Sequence, residues 1–405
     1  MSVKEQVNRV YPQMVEWRRH FHQNPELSYK EKETSKFIAS YLKELGLEVK
    51  TNIGGYGLTG LLEGSESGPT IALRADMDAL PIQDEKEDCE YRSKVPGVMH
   101  ACGHDGHMAV LMGAATVLKR LQKQVKGNIV FLFQPAEEQP PGGAIKMIEE
   151  GVLENVDSIY GLHLWSPLPY GTIGYCYDRM LASADQFEIE IIGKGGHGGI
   201  PHTAVDSVVV ASQVVVQLQS IISRQIDPLQ SGVISVGKIE GGEAFNVIAD
   251  RCKLWGTTRS FDETIREELL EKIENVVKSV CQIYGATYEF RVLRGYPPLI
   301  NHPTEVKRVL KVAKQIVQED KQLVEIDPVM GAEDFAYYLQ KKPGAFFVIG
   351  AAKKTDNVPH HHPRFDIDER GMKMGAELFV RIGLQNGKMA EPTASENVSL
   401  SDWLS

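Results

Sequence analysis

The chain lacks the features that mark membrane, secreted and nucleic-acid-binding proteins. No window approaches the roughly 20 uninterrupted apolar residues that a membrane helix needs, and residues 1–6 (MSVKEQ) lack the apolar core of a secretory signal. Positive charge is in deficit: the net charge is −10 and the pI is about 5.7, so neither nucleic acid nor an anionic membrane would be attracted. We therefore predict a cytoplasmic protein that acts on a small molecule.

Cysteine is also scarce, and the chain has no internal repeat or low-complexity tract. The cysteines are odd in number and widely scattered, which fits reduced thiols better than a disulfide framework; they are Cys89, Cys102, Cys176, Cys252 and Cys281. Hydrophobic residues make up 42% and charged residues 24%, as in an ordinary globular protein. Because 405 residues are too many for one ordinary core, we expect two domains.

Apolar runs alternate with amphipathic stretches in the first part of the chain, which predicts a mostly parallel sheet covered by helices on both faces. The runs are residues 70–74, 128–133 and 158–162, and the helical stretches include 3–22, 30–45, 108–122 and 143–150. A similar pattern returns later, with a helix at 304–319, a strand at 345–349 and a final helix from about residue 368. In such sheets, ligands bind beyond the carboxyl ends of the strands.

The middle of the chain has a different pattern. Predicted strands at 186–192, 233–239, 250–258 and 287–293 and helices at 204–224 and 263–284 give the order β-α-β-β-α-β, which is typical of a ferredoxin-like fold. We therefore predict an α/β protein in which a smaller ferredoxin-like α+β domain interrupts the catalytic domain. The predicted boundaries are 1–183 and 295–385 for the catalytic domain, 184–294 for the inserted domain and 386–405 for a polar, loosely ordered tail.

Five stretches that follow apolar, strand-like runs carry thiolate, imidazole or carboxylate groups, which bind divalent transition metals. They are Asp76 with Asp78, His100-Ala-Cys102-Gly-His104-Asp-Gly-His107, Glu137-Glu138, His163, and His360-His361-His362. Any one of these alone is more simply explained as packed or solvated structure. Their recurrence at the ends of predicted strands predicts one metal site assembled from distant parts of the chain.

The spacing within these stretches indicates which side chains could bind metal and which could act as a base. Cys102 and His104 are separated by Gly103, so both could face one ion from a tight loop. Glu137 and Glu138 point to different sides of an extended backbone. One carboxylate could therefore bind metal while the other faces the metal-bound water as a base, although an exposed acidic turn would show the same sequence.

The remaining stretches leave more than one assignment open. Asp76 and Asp78 fall on the same side of an extended segment, where one could touch a metal and the other could hold a histidine ligand. His163, at the end of an apolar run, is a further candidate ligand. Any of the three histidines at 360–362 could also bind.

Six motifs are long enough together to indicate a family. They are RRHFHQNPEL at 18–27, RADMDALP at 74–81, HACGHDGH at 100–107, FQPAEE at 133–138, GGH at 195–197 with Pro201-His202, and HHPRF at 361–365. Over about residues 15–385 the chain resembles the amidohydrolase branch of the dinuclear aminoacylase and carboxypeptidase metallohydrolases. This branch includes hippurate hydrolases, N-acyl-amino-acid deacetylases and plant auxin-conjugate hydrolases.

The resemblance implies a ligand set for two divalent metal ions per subunit. Cys102 would bridge the two ions, and His104, Glu138, His163 and His361 would complete the coordination. Zinc suits thiolate and imidazole best, although Mn, Co or Ni could occupy a site with this much carboxylate.

It further implies that Glu137 is the general base. Asp78 would support the ligands, and Asp76 would be a vestigial ligand position, since sister branches have a His-x-Asp pair here.

The resemblance also implies roles for the inserted domain, which would be a lid and dimerisation domain in a homodimer or higher homo-oligomer. His197 would reach the active site of the partner subunit and stabilise the oxyanion of the tetrahedral intermediate, as a donor aimed at developing charge does. Asn246 would bind the substrate's carboxylate or carbonyl, and Arg259 could assist.

We therefore expect metal-dependent hydrolysis of the amide bond of N-acyl amino acids, acetyl or aroyl, with Glu137 as general acid and base. A dipeptidase or carboxypeptidase using the same metal centre is the main alternative. Two further alternatives are a Cys102 nucleophile activated by a nearby histidine and a catalytically silent metal-binding relative. The intact Glu137-Glu138 pair counts against the last.

Overall fold

The fold is described from a computed structural model, which describes residues 1–319 and 322–386. The helices within these ranges are α1 (Val3–Gln23), α2 (Lys32–Glu44), α3 (His104–Arg120), α4 (Gly143–Glu149), α5 (Ser207–Arg224), α6 (Glu263–Tyr284), α7 (Pro303–Ala313), α8 (Phe335–Leu339) and α9 (Gly371–Gln385). The strands are β1 (Glu48–Ile53), β2 (Gly57–Glu63), β3 (Glu66–Asp76), β4 (Lys126–Gln134), β5 (Ser158–Pro169), β6 (Ile173–Tyr175), β7 (Arg179–Leu181), β8 (Asp185–Ile192), β9 (Gly196–His197), β10 (Gly232–Gly241), β11 (Val247–Ile248), β12 (Arg251–Ser260), β13 (Thr287–Leu293), β14 (Leu299–Ile300), β15 (Leu323–Glu325) and β16 (Gly344–Ala352).

Eight strands form the larger sheet, in the order β1-β2-β4-β3-β5-β16-β6-β15. The four central strands, β4, β3, β5 and β16, are mutually parallel, and antiparallel pairing occurs where β2 joins β4, where β1 joins β2 and where β16 joins β6. The predicted α/β class with a mostly parallel sheet is therefore confirmed. The carboxyl ends of the central strands meet at one edge, where a ligand site is expected.

Alternate residues of the central strands face two separate apolar clusters. On β16, Phe347 and Ile349 belong to the cluster covered by α1, α3 and α9, whereas Phe346 and Val348 belong to the cluster covered by α4 and α8. Burial on both faces explains why these strands read as continuous apolar runs. α3 is buried around nearly its whole circumference, so it shows no clear polar face in the sequence.

A second, antiparallel sheet has the order β10-β12-β8-β13, with α5 and α6 packed against it. Its core includes Phe187, Val214, Leu254 and Leu269, all fully buried. The chain order β-α-β-β-α-β with this strand order is the ferredoxin-like arrangement that the sequence predicts. The division of the chain at residues 184 and 294 stays a prediction.

α5 is long and apolar enough, by length and composition, to cross a membrane. It packs Val210, Val214 and Leu218 into the core of the second sheet and exposes Val209 and Val216. A core helix of a globular domain passes the same test of composition, so this helix alone is weak evidence for a membrane span.

The structure differs from the sequence predictions in several element boundaries. β5 continues past His163 to Pro169, so His163 lies within a strand and not at its end. α3 begins at His104, four residues earlier than predicted, and α7 ends at Ala313 and not at residue 319. Most of the predicted polar tail, residues 387–405, lies outside the described residues.

Candidate metal centre

Cys102 and His104 lie side by side at the carboxyl edge of the larger sheet because the chain turns sharply into α3 between them. Gly103 has φ +103°, a conformation that L side chains rarely adopt, and it places His104 in the first turn of the helix. The Sγ atom of Cys102 lies 3.3 Å from Nε2 of His163, which projects from β5. A helix start and a neighbouring strand therefore bring these two ligand candidates together.

Two buried carboxylates hold the loop that carries the acidic pair. Ala136, at φ +53°, donates its N–H to Oε1 of Glu31 at 2.8 Å. The N–H groups of Glu137 and Glu138 donate to Oδ1 and Oδ2 of Asp78, each at 3.0 Å. This loop is thus fixed through its backbone, which leaves both glutamate side chains free to face the site.

The spacing of the donor atoms fits metal binding. Two ligands about 2.1 Å from one ion at tetrahedral angles lie about 3.4 Å apart. The Cys102 Sγ to His163 Nε2 distance and the His361 Nε2 to Glu138 Oε1 distance are both 3.3 Å, and His104 Nε2 lies 3.9 Å from Glu138 Oε1. Sulfur, nitrogen and oxygen donors are therefore gathered as one or two transition-metal ions require.

The hydrogen bonds of the histidines fix which ring nitrogen faces the cluster. His104 donates from Nδ1 to the carbonyl oxygen of Asp78, and His163 donates from Nδ1 to that of Leu164, both at 2.9 Å. The Nε2 lone pairs are left for the cluster, which is the usual arrangement of a metal-binding histidine. Both His104 Nε2 and Glu138 Oε1 are buried, and no hydrogen bond from the described residues reaches either atom.

The three consecutive histidines, His360, His361 and His362, lie in different surroundings. His361 has φ +65° and donates its N–H to the carbonyl of Ala101, which aims its ring at the acidic pair. His360 is half-buried; its Nε2 accepts from the N–H of Ser166, and its Nδ1 has no hydrogen-bond partner in the described chain. His362 accepts a backbone N–H two residues further on. Both His360 and His361 lie in groups that could hold a metal ion.

His107 lies beside the cluster, but both of its ring nitrogens are engaged. Nδ1 donates to Asp76 at 2.6 Å, and Nε2 accepts from the N–H of Leu164 at 2.8 Å. It therefore supports neighbouring groups and has no lone pair free for a metal.

Burial lowers the pKa of His104, but the carboxylates of Asp76 and Asp78 outweigh this effect and raise that pKa to about 10. These carboxylates favour positive charge at this point, which a divalent cation would also supply.

A second acidic cluster beside Glu137 was missed from the sequence. Arg74 is fully buried and bonds Glu333 at 2.8 Å and Asp334 at 3.0 Å, and the carboxylate oxygens of Glu137, Glu333 and Asp334 lie within 4.8 Å of one another. Burial, and then the charges of Glu333 and Glu138, raise the pKa of Glu137 well above its usual range. An arginine within the apolar run that ends in the Asp-x-Asp pair was the available signal, since a buried arginine needs buried carboxylates.

Another buried network joins α1 to the start of α3. Arg18 bonds Asp105 at 2.8 Å and Asp366 at 2.7 Å, and Nδ1 of His22 lies 2.7 Å from the same Asp105. Asp105 directly follows His104, so this network fixes the helix turn that carries a ligand candidate.

Three predicted site residues on the inserted segment do not meet the cluster within this chain. His197, on β9, is exposed and accepts the N–H of Gly199 at its Nδ1 atom. Asn246 is exposed, and Arg259 donates to Thr257 and to a backbone carbonyl. None of the three has a hydrogen bond or ion pair to the cluster in the described residues, and their roles stay predictions.

A cavity of about 290 Å³ opens beside the donor atoms. Its polar wall carries Cys102, Glu137, Glu138, Glu333, His163, His360 and His361. Its other walls are apolar and carry Trp165, Met180, Leu181, Ile326, Val329, Phe346 and Val348, with Gly331 and Ala332. The arrangement can place a small substrate with one polar group at the metal-binding atoms and an apolar group against the wall.

Comparisons with known proteins point to the same chemistry. A model of "Peptidase family M20/M25/M40" matches residues 72–385. The chain is 50% identical over 380 residues to the Bacillus subtilis (strain 168) protein named "Putative amidohydrolase YhaA", covering 93% of this chain and 96% of that one. It is 46% identical over 306 residues to "N-acyl-L-amino acid amidohydrolase" of Geobacillus stearothermophilus, covering 74% and 81%. The solved structure of YxeP from Bacillus subtilis, described as a dinuclear metal-binding peptidase, matches with TM-score 0.82 and 34% identity over 94% of this chain and 99% of that one.

Proposed function

Because this chain belongs to peptidase family M20/M25/M40 and is similar to an N-acyl-L-amino acid amidohydrolase, we propose that it hydrolyses the amide bond of N-acyl amino acids. The products would be a carboxylate and a free amino acid. One observation carries the proposal. Metal-binding atoms from distant parts of the chain lie close together, and a further carboxylate, Glu137, is held beside them by a fixed loop.

Two divalent metal ions would bind per subunit. Cys102, His104, Glu138, His163 and His361 would be the protein ligands. The donor spacing and the free Nε2 and Oε1 atoms support this set. Mixed thiolate, imidazole and carboxylate donors favour zinc, and manganese, cobalt or nickel are the alternatives.

Bound metal would supply Lewis-acid polarisation of the scissile carbonyl and would lower the pKa of a water molecule. Glu137 would take the proton of the attacking water on its carboxylate and then hand it to the departing amine nitrogen. Asp78 positions this carboxylate because it holds the backbone N–H groups of Glu137 and Glu138. Arg74, Glu333 and Asp334 are buried beside this carboxylate.

The segment at 184–294 would act as a lid and dimerisation domain. The His197 side chain is exposed, and among the described residues its one hydrogen bond is with the N–H of Gly199, which fits an imidazole that serves the site of a second copy of the chain. It would donate to the oxygen that becomes negative during attack. Asn246 and Arg259 would bind the carboxylate of the amino-acid half of the substrate.

A Glu137→Gln substitution tests the proposal. It keeps the size of the side chain and removes the proton acceptor, so kcat on N-acyl amino acids should fall by about 10²–10⁴-fold. Metal content, measured by elemental analysis of the same preparation, should not change. Glu149→Gln, on the exposed face of α4, is the matched control and should keep full activity. A Glu137→Gln enzyme with unchanged kcat would refute the assignment of the base.

The main alternative is a peptidase, which the family description favours. Turnover of acetyl-amino acids against dipeptides, measured on one metal-loaded preparation, separates the two functions. A Cys102 nucleophile is disfavoured because burial, and then the charges of Glu138 and Glu137, raise the pKa of its thiol. Activity that survives a chelator but is lost on alkylation would restore that mechanism.

A further inference from the structure

The cavity beside the metal centre has a continuous apolar wall. Phe346 and Val348 project from β16 on the same face of the sheet as His163, because Val348 is the register partner of His163 on β5. Both apolar side chains are almost fully buried, at 1% and 2% exposure. A group bound at the metal-binding atoms can therefore extend directly onto an apolar floor.

Another part of the apolar lining comes from two segments that are bonded to each other. Val329 donates its N–H to the carbonyl of Met180 and accepts from the N–H of Ala182, while Leu181 forms a parallel bridge with Val329. Met180, Leu181 and Val329 line the same cavity as Phe346 and Val348. Because the backbone bonds fix this wall, the width of the cavity is set by the side chains.

The charges of the lining decide which half of a substrate can enter. The described lining residues include three glutamates, Glu137, Glu138 and Glu333, and no lysine or arginine. A substrate carboxylate placed against the apolar wall would be desolvated with no cationic side chain in the described lining to pair with it, which is strongly unfavourable. The amino-acid half carries that carboxylate close to the scissile bond, so it must point away from the cavity. The acyl half carries no charge.

We propose that this cavity is the acyl subsite and that it selects a compact apolar acyl group, such as a short alkyl chain or a phenyl ring, over acetyl. This rests on the proposed amidohydrolase function and deepens it. A volume of about 290 Å³ lies at the lower end of the range for small-molecule sites, so the cavity suits one small apolar group and not an extended peptide. Acetyl would leave most of the apolar wall in contact with water.

The first experiment measures kcat/KM for N-acyl alanines in the series acetyl, butanoyl, hexanoyl and benzoyl. Each buried methylene contributes about fourfold, so hexanoyl should exceed acetyl on the order of a hundredfold. A second series keeps the acyl group and changes the amino acid, and it should vary less. A flat acyl series, or a larger effect of the amino-acid side chain, would overturn the assignment of the subsite.

The second experiment narrows the cavity with Val329→Phe. This should lower kcat/KM for the hexanoyl and benzoyl substrates at least about tenfold and leave the acetyl substrate within about threefold. Val324→Phe, at a half-buried position of β15 outside the cavity lining, is the matched control and should change neither. An equal loss on acetyl and hexanoyl substrates in Val329→Phe would count against a specific acyl wall.

A binding measurement separates failure of the subsite from failure of the proposed function. Calorimetric titration of the metal-loaded Glu137→Gln protein with N-acetyl-, N-hexanoyl- and N-benzoyl-alanine should give tighter binding of the larger acyl groups, and Val329→Phe should remove that preference. If no amide is hydrolysed by the native enzyme while this preference holds, the hydrolase proposal fails and the apolar subsite stands. Equal binding of all three compounds refutes the subsite itself.

Discussion

Replacing Arg74 with methionine should destabilise the folded chain by about 3–5 kcal/mol, the usual cost of leaving buried charges without their partner. The guanidinium is 1% exposed and bonds Asp76 at 2.7 Å, Glu333 at 2.8 Å and Asp334 at 3.0 Å. Methionine keeps an unbranched aliphatic stem and lacks the guanidinium, so the effect should come mainly from lost charge pairing.

The pH dependence of the loss gives a sharper test. Burial raises the pKa of Glu333 and of Asp334 even with Arg74 present. At these two carboxyls the folded state therefore binds more protons than the unfolded chain once the pH exceeds about 4, and the two groups reduce stability as pH rises through their folded pKa values. Removing Arg74 raises those pKa values further, so the deficit should be larger at pH 8 than at pH 5.

The assay is urea unfolding of the metal-free protein, because bound metal would add its own stabilisation. Arg251→Met is the matched control: its side chain is 55% exposed and pairs with Glu190 at the surface, so the change should cost far less stability than Arg74→Met. Adding Glu333→Gln to Arg74→Met should recover part of the loss. A loss below about 1 kcal/mol in Arg74→Met, or a deficit that grows as the pH is lowered, would refute the reasoning.

Three further predictions concern the surrounding framework. Arg18→Met should lower the free energy of unfolding by about 3–5 kcal/mol because it leaves the buried Asp105 without its cation, and urea unfolding with an unchanged midpoint would contradict this. Chelator dialysis should lower the melting temperature of the native protein, and added zinc should restore it. The melting temperature of Glu138→Ala should change far less on either treatment. Equal changes in the two proteins would remove Glu138 from the ligand set. Gly142→Ala should cost at least about 1 kcal/mol, since φ is +85° and a Cβ would lie 2.4 Å from a carboxylate oxygen of Asp334, and native stability in thermal melts would disprove the clash.

Much of the fold could be predicted because its strands and helices carry strong local patterns. The helix at α6 and the strand at β13 have the predicted bounds, Glu263–Tyr284 and Thr287–Leu293. The predicted ends of elements were wrong where the local sequence pattern and the burial in the tertiary structure disagree. β5 runs on to Pro169 because β16 continues to pair with it beyond the predicted end.

The residues of the candidate site also differ in how far the local sequence distinguishes them. Cys102, Glu138 and His163 were predicted as ligands because thiolate, carboxylate and imidazole groups at the ends of predicted strands are rare enough to notice. Glu333 and Asp334 were not, because acidic residues before a helix are common and nothing local distinguishes a buried pair.

By itself, the sequence determined the element types, the family motifs and the kinds of donor atom available, since these depend on neighbouring residues and on side-chain chemistry. Only the tertiary structure decided which donors meet, which histidine nitrogen is free and where the apolar cavity opens. Arg74 and Glu333 are 259 residues apart and yet bonded. Such contacts depend on strand order and register, which place distant residues together and which no local pattern records.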